Sequence, residues 1–467
     1  MNEDIHPAAI EKGLRSLPPV NKLLDRLPAD MAPRAAAVEV VRQVLQRART
    51  TIAGGGSAPT EDALVAEAIH ELHVAAQPRL RPAINATGVI LNTGLGRAVL
   101  APEAVDNLVR VAKGHSTLEV DVETGRRGHR ADGVTDLLRR LVGAEDAIVV
   151  NNNAAAVFLC IRSLAAGREV VISRGQLVEI GGHFRIPDVI ASAGARMIEV
   201  GTTNKTHRAD YEQAIGPDTA LLLQVHPSNF RVVGFTESVP LPEMVTLGHS
   251  CGLAVMSDLG SGALVDLGGN GLQGEQTVTQ TLDSGVDVCT WSGDKLLGGP
   301  QCGIIVGQKE PLKRMKRDPL MRALRVDKLI LAALEATLRL YQDPEHARSR
   351  IPTLRAITRP LEDVQAAAAR VMARLEGASP RLRVEMVSVV SQVGGGSLPG
   401  DEIPSAALSL TSDELKIDEL ARRLRMGEPA IFGRISEDRL LLDLRTVTLD
   451  EEGELAAAIM ATGARYG

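Results

Sequence analysis

The sequence predicts an α/β protein in which a mainly parallel sheet is covered by helices on both faces. Between Ile84 and about Thr337, short apolar runs typical of strands alternate with helical segments of roughly ten to twenty residues, which is the pattern of βαβ crossovers. The chain before and after this stretch lacks that alternation. We therefore predict three domains: a helical unit at 1–75, the sheet domain at 76–345 and a small α+β domain at 346–467.

The helical unit is predicted from two helix-like runs. The first, at about 35–49, is followed by a loop rich in Gly, Ser and Pro at 53–59 and by a second helix that ends near Val74. The first helix carries more basic than acidic residues, which makes it either an ordinary solvated surface or a contact for a polyanion. Its basic residues are Arg42, Arg47 and Arg49.

The sheet and the small domain follow from their own patterns. Seven apolar runs predict the strands of the main sheet, and ligands of such sheets bind at the carboxyl ends of strands. After about residue 345, helices and strands follow each other around the Gly394–Gly396 run, with a helix near 413–425 and a strand at 439–445. The seven runs are 147–151, 169–173, 196–200, 219–225, 253–257, 287–291 and 303–306.

Composition and charge argue against several classes of protein. The 467-residue chain is 44% hydrophobic yet has no long apolar run, and its acidic start lacks the basic and apolar segments of a signal peptide, so we expect a cytoplasmic protein. A formal charge of −6 argues against a generally basic nucleic-acid binder, and any such partner would have to meet local clusters. The four cysteines lack metal-ligand spacing, so neither disulfides nor zinc are expected.

One lysine lies where a buried strand is predicted to end. Lys295 follows the run at 287–291 and precedes Gly298 and Gly299, which let other backbone approach. A lysine in such a place loses its proton easily and attacks carbonyl carbon, so Lys295 is our candidate for the Schiff-base lysine of pyridoxal 5'-phosphate. A solvated loop lysine is the simpler interpretation, and two other strand ends argue against it.

Those two strand ends carry the remaining parts of a cofactor site. Asp258 ends an apolar run, and an acid there would keep the pyridine nitrogen protonated and the ring an electron sink. The run at 147–151 leads directly into a helix start, where free N–H groups suit a phosphate. A Ser-x-x-Lys string also marks acyl-transfer serines, but those open a helix and need partner motifs that are not apparent. The residues expected around the phosphate are Asn152, Asn153, Ala154 and Ser292.

Three arginines are candidates for binding a second anion. Arg97 follows a glycine-rich turn, and Arg322 and Arg325 end a basic stretch. Guanidinium forks match the geometry of oxyanions, and a cofactor phosphate held elsewhere leaves these arginines for another anion. Ordinary surface charge is the alternative interpretation. His226 and Asn229 follow a predicted strand, so each either faces the cofactor ring or is structural.

Longer motifs are more specific than these single residues. They are Ile84-Asn-Ala-Thr-Gly-Val89, Asn92-Thr-Gly-Leu-Gly-Arg97, Glu123-Thr-Gly-Arg-Arg-Gly128, Arg174-Gly-Gln-Leu-Val-Glu-Ile-Gly-Gly182, Ser228-Asn-Phe-Arg-Val-Val-Gly-Phe-Thr236, Ser292-Gly-Asp-Lys-Leu-Leu-Gly-Gly-Pro-Gln301 and Arg322-Ala-Leu-Arg-Val-Asp-Lys328. Through them, and through Leu17-Pro-Pro-Val-Asn-Lys-Leu-Leu24 in the helical unit, the chain resembles the bacterial L-seryl-tRNA(Sec) selenium transferases, also called selenocysteine synthases, over nearly its whole length.

The resemblance implies a fold type I pyridoxal-phosphate enzyme in which Lys295 carries the cofactor and Asp258 pairs with the pyridine nitrogen. Arg97, Arg322 and Arg325 correspond to positions where that family binds selenophosphate, the selenium donor. The helical unit corresponds to the part that recognises selenocysteine tRNA, and the family assembles as a homodecamer. The implied reaction converts L-seryl-tRNA(Sec) to L-selenocysteinyl-tRNA(Sec) through an aminoacrylate intermediate.

Two other functions stay open at this point. A pyridoxal-phosphate lyase or ammonia-lyase acting on a small amino acid or a phosphorylated amino sugar acid would use the same Lys295 and Asp258, but it has no evident need for the helical unit. A tRNA-binding or scaffolding protein that lacks catalytic activity would need neither Lys295 nor Asp258.

Overall fold

Residues 7–28, 30–76, 78–182, 184–268, 272, 275–375 and 382–463 are described by a computed structural model of the chain. The chain divides into two units, 1–82 and 83–467. None of the described helices is long and apolar enough to cross a membrane.

The described part of the first unit is helical. Its helices are α1 (Pro7–Ser16), α2 (Val20–Leu24), α3 (Arg34–Ala53) and α4 (Glu61–Ala76). Residues four apart on α3, such as Val41 and Leu45, share one face and are buried in the core of this unit. Arg47 pairs with Glu67 and Glu71 of α4 at 2.8 and 3.1 Å. Both helices predicted for this region are present, and the first begins one residue earlier and ends four residues later than predicted.

Strands of the second unit form one large sheet and several smaller ones. The described strands are β1 (Ala83–Asn85), β2 (Asp146–Val150), β3 (Glu169–Ser173), β4 (Glu179–Ile180), β5 (Phe184–Arg185), β6 (Arg196–Val200), β7 (Thr219–Val225), β8 (Ala254–Gly260), β9 (Val288–Ser292), β10 (Gly303–Gly307), β11 (Leu382–Ser391), β12 (Ile403–Ser412), β13 (Ala430–Phe432), β14 (Arg434–Ser436) and β15 (Arg439–Asp443). The large sheet has the order β2-β10-β9-β8-β7-β3-β6, and every pairing in it is parallel except the two made by β10.

Helices connect these strands and cover both faces of the large sheet. Within β2, Ile148 and Val150 join one apolar core while Ala147 and Val149 join the other, because successive side chains of a strand point to opposite faces. All seven predicted strands are present to within three residues at either end, so the predicted α/β class is confirmed. The described helices are α5 (Pro102–Ala112), α6 (Asp132–Val142), α7 (Asn153–Ala165), α8 (Ile186–Ser192), α9 (Arg208–Ala214), α10 (Leu241–Ser250), α11 (Val278–Asp283), α12 (Lys309–Arg317), α13 (Leu320–Ala323), α14 (Lys328–Leu340), α15 (Pro344–Arg350), α16 (Pro352–Thr358), α17 (Leu361–Arg374), α18 (Ile417–Met426) and α19 (Glu451–Gly463).

The C-terminal part of this unit has an antiparallel sheet of its own, in the order β11-β12-β15-β14. Its β13 pairs in parallel with β1, so the first strand of the unit joins one of its last. Just after β15, the buried Arg445 donates to the carbonyl oxygens of Ala356 and Arg359 at 3.0 and 2.8 Å and to that of Pro404. These bonds give Arg445 a structural role. The domain boundary near residue 345 stays a prediction.

Candidate active site

The carboxyl ends of four strands meet along one edge of the large sheet. Asp258 of β8 lies opposite Val225 of β7 and Thr290 of β9. On the other side of β9, Ser292 is separated from Val150 of β2 by a single strand, β10. The strand ends predicted to carry a cofactor site are therefore neighbours in space.

Lys295 is buried in the turn that follows β9, and only 4% of its surface is exposed. Its Nζ donates to the carbonyl oxygen of Gly396, 3.4 Å away. Two glycines from separate loops face the amine: a Cβ on Gly396 would lie 3.4 Å from Nζ, and a Cβ on Gly260 would lie 3.8 Å from it. These glycines leave room beside the amine that side chains would fill.

The surroundings of Lys295 favour its neutral form. Burial lowers the pKa of the Lys295 amine below its usual value, the Asp258 carboxylate opposes this effect, and the nearby Arg97 guanidinium adds to it. A neutral amine has the free electron pair that attack on a carbonyl carbon requires. The structure thus supports the predicted chemistry of Lys295 by its environment as well as by its place at a strand end.

Asp258 is a buried carboxylate held by one oxygen. Oδ1 accepts hydrogen bonds from Asn153 Nδ2 and Thr290 Oγ1, both at 2.9 Å, and from the backbone N–H of Gly260 at 3.2 Å. Burial raises the pKa of Asp258, while these bonds and the charge of Lys295 lower it. Among the described residues no ion pair joins Asp258 to Lys295, so the two charges interact across a gap.

Unpaired polar atoms surround that gap. Ser228 Oγ, His226 Nδ1 and Asn153 Oδ1 are buried and have no hydrogen-bond partner among the described residues. Buried polar groups are normally paired, so these atoms indicate a missing polar molecule. A ring that carries a basic nitrogen, an aldehyde and a hydroxyl would supply partners between Asp258 and Lys295. The residues present therefore fit pyridoxal phosphate.

The start of α7 offers a place for the cofactor phosphate. Asn152 caps this helix, because its Oδ1 accepts a hydrogen bond from the Ala155 N–H at 2.8 Å. The N–H groups of Asn153 and Ala154 lie before the first intrahelical bonds and suit an anion. Gly303 of β10 lets the backbone of Asn152 come close, since a Cβ there would overlap the Asn152 carbonyl. That these residues bind phosphate stays a prediction.

Arg97 lies near Lys295 but is already paired. Its Nη1 donates to Asp294 Oδ2 at 2.9 Å, and Asp294 directly precedes Lys295. Arg97 adopts a left-handed backbone conformation with a φ of 63°, which is uncommon outside glycine. The turn that contains Arg97 is therefore fixed against the turn that contains Lys295.

Arg322 and Arg325 belong to a separate group of positive charges beside the end of β2. Arg325 forms a backbone bridge with Val150, two residues before the cap of α7. Partial desolvation lowers the pKa of Arg325, and the like charges of Arg130 and Arg322 add to this effect. Such a group suits an anion. No described contact joins Arg97 to these two arginines, so the binding of one anion by all three stays a prediction.

Sequence reasoning missed several residues that touch the site. Thr290 is one of many buried strand residues, and nothing in the sequence marks its contact with Asp258. Ser228 and Gly396 come from distant parts of the chain, although a Cβ on Gly396 would lie 3.3 Å from Ser228 Oγ. Of these residues, only Asp294 could have been found from the sequence, because it directly precedes Lys295.

The two uncertain polar residues after β7 have different surroundings. The backbone N–H of His226 donates to the Asp258 carbonyl oxygen at 2.9 Å, while its buried imidazole Nδ1 lacks an acceptor or donor among the described residues. Asn229 is exposed, and its Nδ2 donates to the Glu179 carbonyl oxygen at 2.8 Å. The backbone of His226 is thus fixed beside Asp258, and Asn229 connects its loop to β4.

A cavity of about 690 Å³ lies elsewhere in the second unit, between α5, α14 and the segment 116–134. None of the predicted site residues lines it. Within the described ranges, no group of three or more His, Cys, Asp or Glu side chains is arranged to hold a metal ion. We place the candidate active site at Lys295 and Asp258 because a buried amine and a buried carboxylate are reactive groups. The volume of a cavity alone is no sign of reactivity.

Comparisons with known proteins agree with this geometry. The family model described as L-seryl-tRNA selenium transferase matches residues 83–448. A protein of Moorella thermoacetica, "L-seryl-tRNA(Sec) selenium transferase", is 49% identical over 461 residues, which cover 97% of this chain and 98% of that protein. One of the same name from Methylocella silvestris is 47% identical over 453 residues, covering 95% and 96% of the two chains.

Among solved structures, the chain is similar to that of D-glucosaminate-6-phosphate ammonia-lyase. The TM-score is 0.57 at 22% sequence identity, and the match covers 82% of this chain and 96% of the other. At this identity the likeness concerns the fold alone.

Proposed function

Because the chain belongs to the L-seryl-tRNA selenium transferase family, we propose that it converts L-seryl-tRNA(Sec) to L-selenocysteinyl-tRNA(Sec), with pyridoxal phosphate as cofactor and selenophosphate as selenium donor. The observation that carries the proposal is a buried Lys295 amine and a buried Asp258 carboxylate near enough to shift each other's pKa, with unpaired polar atoms on neighbouring residues. The family predicted from the motifs is confirmed by the comparisons.

Each proposed residue has a distinct task. Bound pyridoxal phosphate supplies an aldehyde for reversible bonding to an amine and a ring that accepts electrons from the substrate α-carbon. Lys295 binds that aldehyde through Nζ and, once released, takes the proton from the α-carbon of the seryl group. Asp258 holds a proton on the pyridine nitrogen. The α7 start and Ser292 hold the phosphate.

The three candidate arginines serve the second anion in this proposal. The seryl group is esterified to tRNA, so it has no carboxylate for an arginine to bind. Arg97, Arg322 and Arg325 are therefore assigned to selenophosphate. The Arg97–Asp294 pair would have to loosen or share its donors when that anion arrives, because a guanidinium has five N–H groups and uses only some of them on one carboxylate.

The direct test is to incubate the purified protein with seryl-tRNA(Sec) and selenophosphate and to identify the amino acid on the tRNA. Selenocysteine is the expected product. Lys295→Ala should abolish both this product and the visible absorbance of lysine-bound cofactor. Asn229→Ala, an exposed loop variant, is the control and should retain both. An active Lys295→Ala protein would contradict the assignment of the amine.

The helical unit is proposed to bind the tRNA. Arg42 and Arg49 of α3 are exposed and form no ion pair among the described residues, whereas Arg47 is neutralised by Glu67 and Glu71. We expect Arg42→Ala and Arg49→Ala, each made singly, to weaken tRNA binding and to reduce the slope of log affinity against log salt by about one. Arg47→Ala is the matched control. An equal loss in all three variants would indicate a general charge effect.

Assembly and location follow from the same proposal. We assign the protein to the cytoplasm, where charged tRNA is used, and to a homodecamer by its family. Sedimentation of the purified protein over a range of concentrations would test the subunit number, and a stable monomer would exclude it.

The ammonia-lyase alternative is not favoured. The relatives named as selenium transferases are far more similar in sequence and cover nearly the whole chain, including the helical unit. The solved ammonia-lyase covers a smaller share of this chain at low identity. Release of ammonia from amino sugar acids, with no reaction on seryl-tRNA, would reverse this conclusion.

A further inference from the structure

We propose that Thr290 and Asn153 are positioning residues that fix the Asp258 carboxylate through Oδ1 alone and leave Oδ2 to accept a hydrogen bond from the ring nitrogen of the cofactor. This inference rests on the proposed function. It adds two side chains whose roles toward the carboxylate neither the motifs nor the family comparisons assign.

The hydrogen-bond pattern is one-sided. All three donors found on the Asp258 carboxyl group, from Thr290, Asn153 and the backbone of Gly260, reach Oδ1. Oδ2 accepts no hydrogen bond from the described residues. A carboxylate anchored by one oxygen from two side chains and the backbone cannot rotate freely, so the direction in which Oδ2 points is fixed by the protein before the cofactor binds.

The two side chains come from different elements, which makes the anchor rigid. Thr290 is fully buried in β9, next to Asp258 in strand register. Asn153 is the first residue of α7, whose N–H groups are the proposed phosphate site. Asn153 thereby couples the position of the carboxylate at one end of the cofactor to the helix start at the other end. A shift of α7 would move both.

The anchor also opposes protonation of Asp258. Several groups face this carboxylate: the Lys295 amine after β9, and the thiols of Cys160 on α7 and Cys289 on β9. Burial favours the protonated acid, and the two side-chain donors oppose it by binding the anion. Only the anion can hold a proton on the ring nitrogen. Loss of a donor should therefore raise the proton affinity of the carboxylate and move the proton that it shares with the ring nitrogen toward Oδ2.

Thr290→Val tests this directly, because valine keeps the shape and removes the hydroxyl. The readout is the ¹⁵N NMR signal of the ring nitrogen in protein loaded with ¹⁵N-labelled pyridoxal phosphate, followed against pH together with visible absorbance. A hydrogen bond to a charged group contributes enough to shift this proton equilibrium toward the carboxylate by about ten- to a hundredfold, so the ring ¹⁵N signal should move toward the position of unprotonated pyridine. Thr290→Ser should restore the wild-type profile, and Thr281→Val, a buried threonine in α11 that bonds to its own helix, should leave the profile unchanged.

Asn153→Ala provides a second variant should Thr290→Val not fold. It is expected to shift the ring ¹⁵N signal in the same direction. Cofactor-loaded variants whose ring nitrogen titrates as in the wild type would overturn the inference while leaving the proposed function intact. A wild-type protein that takes up no pyridoxal phosphate would instead overturn the proposed function itself.

Discussion

Replacing Gly396 by alanine tests whether the space beside the Lys295 amine is needed for cofactor capture. Gly396 has a φ of 75°, and a Cβ there would lie 3.4 Å from Lys295 Nζ and 3.3 Å from Ser228 Oγ. The contact with Ser228 Oγ is tighter than ordinary van der Waals packing, and the contact with Lys295 Nζ lies at the lower limit of such packing. The substitution therefore combines backbone strain with crowding of the reactive amine.

The two effects can be separated with a matched control. Gly400 has nearly the same φ, 78°, but a Cβ there would meet only the Arg231 guanidinium at 3.7 Å, an ordinary contact. Left-handed backbone costs an alanine roughly 1–2 kcal/mol, so both variants should lose about that much free energy of unfolding. The crowding of Lys295 should appear in Gly396→Ala alone.

Two measurements decide the outcome. Urea unfolding of the cofactor-free proteins gives the common loss of stability, and stopped-flow absorbance after mixing with pyridoxal phosphate gives the rate of bonding to Lys295. We expect Gly396→Ala to be at least about tenfold slower than Gly400→Ala, which corresponds to about 1.4 kcal/mol in the barrier. Equal rates in the two variants would refute the view that Gly396 keeps the space beside the amine open.

Three further substitutions test the energetics of the fold and the site. Lys295→Met should stabilise the cofactor-free protein at neutral pH, because folding lowers the pKa of Lys295 and so penalises its charged form. This penalty disappears as pH rises towards the usual lysine pKa of about 10.4. Thermal unfolding should therefore show the stability gain of the variant shrinking over that pH range. Arg445→Met should lose about 3 kcal/mol in urea unfolding, because three partly buried carbonyl oxygens lose their donor. Arg439→Ala, at an exposed ion pair, should cost less than about 1 kcal/mol. Asn152→Ala should cost about 1 kcal/mol through loss of the α7 cap and should weaken pyridoxal phosphate binding in a fluorescence titration; unchanged affinity would exclude the helix start as the phosphate site.

The predicted site residues that the structure brings close together share one property. In a sheet built from βαβ crossovers, the chain order of strand ends becomes spatial proximity, because parallel strands all end at the same edge. Lys295, Asp258 and the 152–154 segment each follow an apolar run, and the structure places those runs side by side. The periodicity of α3 predicted a helix for the same kind of reason, since residues four apart share a face.

The sequence by itself therefore determined the fold class and the location of Lys295 and Asp258 at neighbouring strand ends, because local pattern and strand order specify them. It did not determine which side chains hold the acid or enclose the amine. Thr290 is a buried strand residue like its neighbours until β8 lies beside it, and Gly396 meets Lys295 only after about a hundred residues of intervening chain have folded. Tertiary structure decided these contacts, because hydrogen bonds and close approaches between distant segments depend on register and packing that no single stretch of sequence encodes.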